Sequence, residues 1–460
     1  MLNRGSDNMS NDGLNLQRLL LYRQILEDAT IRKAQELVLM MDTPGQKLRS
    51  VEKCYYDMLQ SLIKAAERNQ WNGDLWKNYV LELVLNDENI FSLACERSGE
   101  KISAGLYQSA LNDIAVLKEL FNFNLLEIAD ELGMNTSVFS LNFQSIGSEN
   151  RFRSQYIFKC NQFHQLKELF TQDESPQALL SALAEFYHVA GCGTMRKFHA
   201  FSWNKGLQGI GNHDPVMLDD LVGYEYQKKI LLGNTEALIS GKKANNILLY
   251  GERGTGKSSS VKALLNQFGD RGLRMIELSK RQLLELPDII KTVSKRGLYF
   301  IIFIDDLSFE EFEIDYKEIK AGIDGSLQAS PDNMILYVTS NRRHLIKENW
   351  SDRKPSGEEV HISDTYQEKL SFADRFGIMI SYQSPNQEEY LQIINELARR
   401  NKVAMPPKEL EKYALQWERK YHGRSGRTAQ QFITHIMASN RPNACGTLNR
   451  TQVPLRDGGL

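Results

Sequence analysis

The sequence predicts an α/β protein: a parallel sheet carrying a phosphate-binding loop, with a C-terminal helical lid and an all-α domain in front. Three observations predict it. Between residues 214 and 383 short apolar runs alternate with helical stretches, the pattern of parallel strands joined by helices. One of these runs stops abruptly at Gly251-Glu-Arg-Gly-Thr-Gly-Lys-Ser258, a spacing suited to wrapping phosphate groups. On both sides of that region apolar residues recur at helical spacing, and strand-like alternation is scarce.

At 460 residues the chain is too long for one ordinary core, so two or three domains are expected. A hydrophobic share of 42% and a charged share of 25% describe a globular protein in water. The net charge of −2 supplies no global field toward nucleic acid or anionic lipid. Met1–Gly13 is polar and lacks the apolar core of a signal peptide. No apolar run approaches the ~18 residues needed to span a bilayer, so no membrane partner is expected. Five scattered cysteines with no Cys-x-x-Cys pair argue against a disulfide framework or zinc site, and for a reducing cytoplasm.

Residues 1–190 read as a helical domain. Leu16, Leu19, Leu20 and Tyr22 open an amphipathic run, followed by Val51, Tyr55, Met58, Leu59 and Leu62, and later by Ile114, Leu117, Leu120 and Phe121. Its aromatics (Tyr55, Tyr56, Trp71, Trp76) are expected in the core, and no chemical constellation marks a site there. Residues 191–213, with five glycines, read as a connector.

The core is expected over 214–383, with strands at Ile247–Tyr250, Arg274–Leu278, Tyr299–Ile304 and Met334–Thr339. After the first strand, Gly251, Gly254 and Gly256 let backbone N–H groups turn toward phosphate oxygens. Val261, Leu264, Leu265 and Phe268 then recur at helical spacing, so a helix N-terminus adds unpaired donors behind Thr255, Lys257, Ser258 and Ser259. Lys257 is expected on the β- and γ-phosphates of ATP or GTP, and the Ser258 hydroxyl on Mg²⁺. The run Phe300-Ile-Ile-Phe-Ile-Asp305-Asp306 reads as a strand buried on both faces. Carboxylates at its C-terminal end stand where ligands bind in open α/β sheets, with Asp305 toward Mg²⁺ and Asp306 toward the attacking water. Another run ends in Thr339-Ser340-Asn341, where Asn341 is suited to hold a water or a γ-phosphate oxygen. Helices at Gln387–Arg400, Pro407–Tyr421 and Thr428–Ser439 make up a lid over 384–440, and residues 441–460 read as a poorly ordered tail.

These motifs together resemble the AAA+ ATPases. Upstream, Leu218-Asp-Asp-Leu-Val222-Gly223-Tyr224 is similar to the segment that packs on adenine in that superfamily. Downstream, Glu368-Lys-Leu-Ser-Phe-Ala-Asp-Arg375-Phe-Gly377 resembles the box carrying its arginine finger, and Gly423-Arg-Ser-Gly-Arg427-Thr428 the start of the lid helix that bears its second sensor arginine. More narrowly, residues from about 190 to 440 look like a bacterial family of predicted ATPases without a known task. The resemblance implies ATP and Mg²⁺ as cofactors and a ring of identical subunits joined through Arg375. Two departures stand out. Many AAA+ enzymes place Asp-Glu where this chain has Asp305-Asp306, so hydrolysis is expected to be slow, or served by a closer backbone, or assisted by Glu252 or Glu310. Ser279-Lys-Arg-Gln-Leu-Leu284 lacks the aromatic-apolar-Gly pore loop of protein-unfolding rings.

Charge is uneven: residues 305–318 carry seven acids against one lysine, and 399–427 nine basic residues against three acids. Charge runs are usually solvated helix surface, with nucleic acid or an acidic neighbour as the alternative. Three tasks suit the motifs. One is a remodelling or loading ATPase acting on a macromolecule held by the N-terminal domain. The others are a nucleotide switch or adaptor with slow turnover, and a kinase.

Overall fold

The computed structural model describes residues 14–43, 48–131, 133, 142–144, 153–172, 174–307, 331–341, 376–421 and 423–438. The chain divides into two compact units: Met1–Pro215 with Phe268–Ile276 and Asp288–Phe300, and Val216–Gln267 with Glu277–Pro287 and Ile301–Leu460.

The first unit is mainly helical, as its periodicity demands. Its helices are α1 (Ala29–Asp42), α2 (Leu48–Asn69), α3 (Leu75–Asn86), α4 (Ile90–Ser98), α5 (Ala104–Phe121), α6 (Leu125–Glu131), α7 (Arg153–Thr171) and α8 (Pro176–Ala190). Short polar side chains start them: Asp28 accepts from Thr30 and Ile31 N–H, and Asn89 forms a capping box with Ser92. Ser175 caps α8, whose Pro176 needs no donor there. Tyr55, Trp71 and Trp76 lie in the core, whereas Tyr56 is exposed. The polar ends of the buried aromatics find partners: Trp76 Nε1 donates to Leu120 O at 2.8 Å and Tyr187 Oη to Val84 O at 2.7 Å. The buried Asp113 carboxylate collects the N–H groups of Leu20, Leu21 and Tyr22, which pins the N-terminal segment to α5. A small antiparallel pair, β1 (Asn72–Asp74) with β2 (Asn142–Gln144), completes the helical region.

The glycine-rich stretch expected to be a connector instead builds structure. It holds α9 (Gly193–Lys197) and an antiparallel hairpin of β3 (Ala200–Trp203) and β4 (Leu207–Ile210), paired from Ala200↔Ile210 to Trp203↔Leu207. Gly209 is there for packing: a Cβ on it would come within 2.1 Å of the Phe198 ring.

The second unit opens with α10 (Glu225–Ile239) and β5 (Ile247–Gly251), followed by α11 (Lys257–Phe268). Then come β6 (Leu273–Leu278), α12 (Leu286–Val293) and β7 (Tyr299–Ile304), each of which contributes residues to both units. β8 (Met334–Ser340) and β9 (Ile378–Tyr382) complete a seven-stranded order β4-β3-β6-β7-β8-β5-β9. β5 lies between β8 and β9 and runs parallel to both, with Leu249 opposite Thr339 on one side and Ile380 on the other. A lid of α13 (Gln387–Arg400), α14 (Pro407–Lys420) and α15 (Gly426–Ala438) packs around Tyr390, Ile394, Leu397, Ala414, Phe432 and Ile433. The fold class is the expected one: a mostly parallel α/β sheet carrying a phosphate loop, preceded in the chain by helices and followed by a helical lid. β9 was not among the expected strands. It is a five-residue edge strand in which only Ile380 and Tyr382 are buried, so it lacks the long buried apolar run that marks β7 and β8. Among the described residues no helix is long and apolar enough to cross a membrane.

Candidate nucleotide site

The site grows from the end of β5. Gly251 has φ 134°, and a Cβ there would sit 1.9 Å from the Tyr382 carbonyl of β9, so only glycine lets the two strands lie this close. Gly254 has φ 78° and carries no Cβ to press on Ser425 and Arg427 of the lid. Gly256, at φ 94°, completes the turn. The buried Thr255 closes the loop by donating to Glu252 O at 2.8 Å. The loop's end is the head of α11, whose first residue is Lys257 and whose unpaired N–H groups make an anion site.

Lys257 is buried, and its Nζ donates to the carbonyls of Gly251 at 2.8 Å and Glu252 at 2.6 Å. Burial pulls its pKa down, while Asp306 and Asp305 oppose that shift. Ser258 Oγ donates to Asp305 Oδ1 at 2.5 Å, and Thr339 Oγ1 donates to the same oxygen at 2.6 Å. Thr339 Oγ1 also accepts the Asp306 N–H at 2.9 Å. Asp306 is in the left-handed region, φ 51°, and its carboxylate accepts from Asn341 Nδ2. Thus the structure brings Ser258, Asp305, Asp306 and Asn341 together around one threonine to which the sequence assigned no role. Ser259 sits half-buried on the first turn of α11.

On the other side, Tyr224 at φ 60° stacks on Tyr382 with ring centroids 5.0 Å apart and donates to Gln383 O at 2.8 Å. Gly223 precedes it at φ 82°, and Val222 packs against the lid core. Tyr382 Oη in turn donates to Ser260 Oγ at 3.0 Å on α11, and Ser384 Oγ to Glu252 at 2.5 Å. Arg427 is brought to the loop, its N–H donating to Gly254 O at 3.3 Å. Arg424 is turned elsewhere, onto Glu418 at 2.5 Å. Ser425 starts α15 by accepting the Thr428 N–H. Arg375 and Glu310 lie outside the described residues.

Two tests of chemical fit follow from this geometry. The turned glycine backbone and the head of α11 suit phosphate oxygens. Ser258 Oγ and the Asp305 carboxylate are adjacent hard oxygen donors, which suits Mg²⁺, an ion that takes one or two carboxylates and leaves positions for substrate phosphates. Tyr382 lies in no sequence motif, while Thr339 and Ser425 lie inside quoted motifs that gave them no role of their own.

Residues 196–440, a little over half of the chain, match the family model described as "Protein of unknown function (DUF815)". The large subunit of replication factor C from Aeropyrum pernix is 31% identical over 138 residues, 28% of this chain and 27% of that protein. Among solved structures, a RuvB mutant from Thermotoga maritima is 17% identical over 49% of this chain and 65% of that one, with TM-score 0.34. AMPPCP-bound DnaA from Aquifex aeolicus is 18% identical over 49% of this chain and 66% of that one, also with TM-score 0.34. The chain therefore spans about a quarter of the curated relative's length and just under two thirds of these two structures.

Proposed function

The chain belongs to the DUF815 family of proteins of unknown function, and we propose that this member binds ATP with Mg²⁺ and hydrolyses its β–γ bond to drive loading or remodelling of a macromolecular partner. One observation carries the reading. The Ser258–Asp305 pair, fixed by Thr339, stands directly beside Lys257 at the head of a helix. Lys257, the loop N–H groups and the head of α11 hold and neutralise the phosphates. Ser258 and Asp305 would hold Mg²⁺, which when bound adds charge neutralisation on the β- and γ-phosphate oxygens. Asp306, with Asn341 on its carboxylate, orients a water toward the γ-phosphorus. Val222, Gly223 and Tyr224 flank the nucleoside side, and Arg427 joins from the lid. Arg375 is the residue for a neighbour's site in a ring, and the N-terminal helices are the region for a partner, nucleic acid among the choices.

The assignment is tested with two variants. Lys257→Ala is expected to lose nucleotide affinity outright. Asp305→Ala is expected to keep most of it while losing Mg²⁺-dependent turnover. Unchanged ATP binding by the Lys257 variant sinks the assignment of the loop. A second reading, a nucleotide switch with slow turnover, is favoured by the short Asp306 carboxylate already engaged by Asn341. Turnover measured with and without nucleic acid or protein polymers separates the two.

A further inference from the structure

Just ahead of β7, the strand that leads into Asp305, Arg296 forms a buried ion pair with the helical region. Glu96, on α4, is fully buried, and its carboxylate accepts from one edge of the Arg296 guanidinium, Nε at 2.8 Å and Nη2 at 2.6 Å. The same carboxylate accepts the N–H groups of Gly297 at 3.0 Å and Cys192 at 3.2 Å. Arg296 Nη1 reaches Glu88 at 2.7 Å, and Nη2 the Cys192 carbonyl at 3.2 Å. Burial works against the Arg296 charge, yet Glu96 outweighs it and its pKa rises. Burial, helped by Glu96, pushes the Cys192 thiol up to about 12, so it stays neutral beside the pair. The approach is close enough to exclude side chains: a Cβ on Gly297 would lie 2.1 Å from Glu96 O.

A second buried arginine fastens the neighbouring strand. Arg274 on β6 is 1% exposed, and all four of its guanidinium hydrogen bonds go to backbone carbonyls. Two of these carbonyls belong to Ala190, the last residue of α8, and to Met195 in α9. The Tyr299 N–H then donates to Gly272 O at 3.1 Å, which links the starts of β7 and β6.

We propose that Glu96 and Arg296 are positioning residues for the metal-binding end of β7, so that the helical N-terminal region sets Mg²⁺-dependent turnover rather than only holding a partner. This rests on the ATPase reading above. β7 is six residues, about 20 Å. Phe300 to Ile304 are at most 1% exposed, so packing on both faces makes the strand shift as a body rather than bend. A displacement of its start therefore reaches Asp305, where misplacement by about 1 Å is worth on the order of 100-fold in rate. The nucleotide loop hangs from β5 and is not fastened by this pair.

The test uses the full chain with ATP and MgCl₂. Breaking one partner leaves a buried charge and risks the fold, so Glu96→Leu with Arg296→Met, a pair of similar volume, is the main variant. It is expected to fold, to bind ATP in EDTA within about twofold of wild type, to raise the Mg²⁺ half-saturation at least threefold and to lower kcat about tenfold or more. Arg296→Lys, which keeps the charge and loses the fork, is expected to fall between. A merely structural pair would lower Tm and leave the Mg²⁺ half-saturation where it was, and that result overturns the proposal. If the double variant does not fold, amide exchange in the wild type decides. The Gly297 and Cys192 amides are expected to slow at least threefold with ATP plus MgCl₂ over ATP in EDTA, and unchanged rates overturn the proposal. A wild-type chain that binds no ATP sinks the ATPase reading, and this role with it. Normal turnover in a folded clamp variant sinks the clamp alone.

Discussion

Thr339→Val removes one hydroxyl and keeps the shape, so its effect isolates what that oxygen does. Thr339 is 1% exposed; its Oγ1 donates to Asp305 at 2.6 Å and accepts the Asp306 N–H at 2.9 Å. A hydrogen bond to a charged group contributes about 1.5–3 kcal/mol, and a buried N–H left without an acceptor costs about 1–3 kcal/mol. Some of this is recovered as water reaches the exposed side of the two aspartates, so a net loss of about 3 kcal/mol is the expectation. For a unit of roughly 200 residues that lowers Tm by roughly 6–12 °C. Asp305 also loses one of the two hydroxyls that aim it, so the Mg²⁺ half-saturation rises alongside. Thr339→Ser is the control: it keeps both bonds, loses one methyl, about 0.8 kcal/mol, and leaves the metal dependence alone. Thermal melts and a Mg²⁺ titration of ATP turnover measure both effects. A Tm shift below about 2 °C with an unaltered Mg²⁺ half-saturation would show that the threonine does not organise the two carboxylates.

Asp306→Asn is expected to bind ATP normally and hydrolyse it roughly tenfold more slowly or worse, a loss of ~1.4 kcal/mol; wild-type rates would move the role to Glu252 or Glu310. Mixing Arg375→Ala subunits with Lys257→Ala subunits is expected to restore part of the turnover that neither has alone, because each keeps what the other lacks. Full activity of the Arg375 variant as a monomer refutes a shared site. In the helical region Asp87 is 4% exposed, and burial raises its pKa to about 6, with Asn89 opposing and Asp113 adding to the shift. Its folded pKa exceeds the unfolded value, so its favourable contribution is complete below about pH 4 and lost as pH rises through about 6. Asp87→Asn should therefore gain stability over wild type as pH rises from 4 to 7, by up to about 3 kcal/mol. A pH-independent difference in Tm between the two proteins counts against it.

What was legible in the sequence was local. β7 falls on Tyr299–Ile304 because six consecutive apolar residues admit little else, and α13 on Gln387–Arg400 because Asn386 and Glu389 write its capping box. The phosphate loop is legible because its function is performed by backbone, and only glycine permits that backbone. Thr339 was not legible, because its role depends on which residue of β8 lies beside the end of β7. Glu96 and Arg296 are 200 residues apart, and neither sits in a pattern. The hairpin at 200–210 was missed because glycine serves packing as readily as freedom, and composition cannot tell the two apart.

The paired aspartates can now be separated on physical grounds. Asp305 accepts from two hydroxyls on one oxygen, which fixes its carboxylate and leaves the other oxygen for the metal role proposed above. Asp306 sits where the chain turns through φ 51° so that its N–H can reach Thr339. Aspartate and asparagine enter that left-handed region more readily than longer side chains, because a short polar group can bond locally. The Asp306 carboxylate is held there by Asn341, from the end of β8. The short carboxylate is thus a consequence of the turn that lets one threonine hold both aspartates, rather than a simple truncation of glutamate. Lengthening it works against that turn. Asp306→Glu should cost about 1 kcal/mol in stability and gain turnover only if the added methylene outruns the loss of the Asn341 bond. A variant both faster and as stable as wild type would show that the turn does not select the residue.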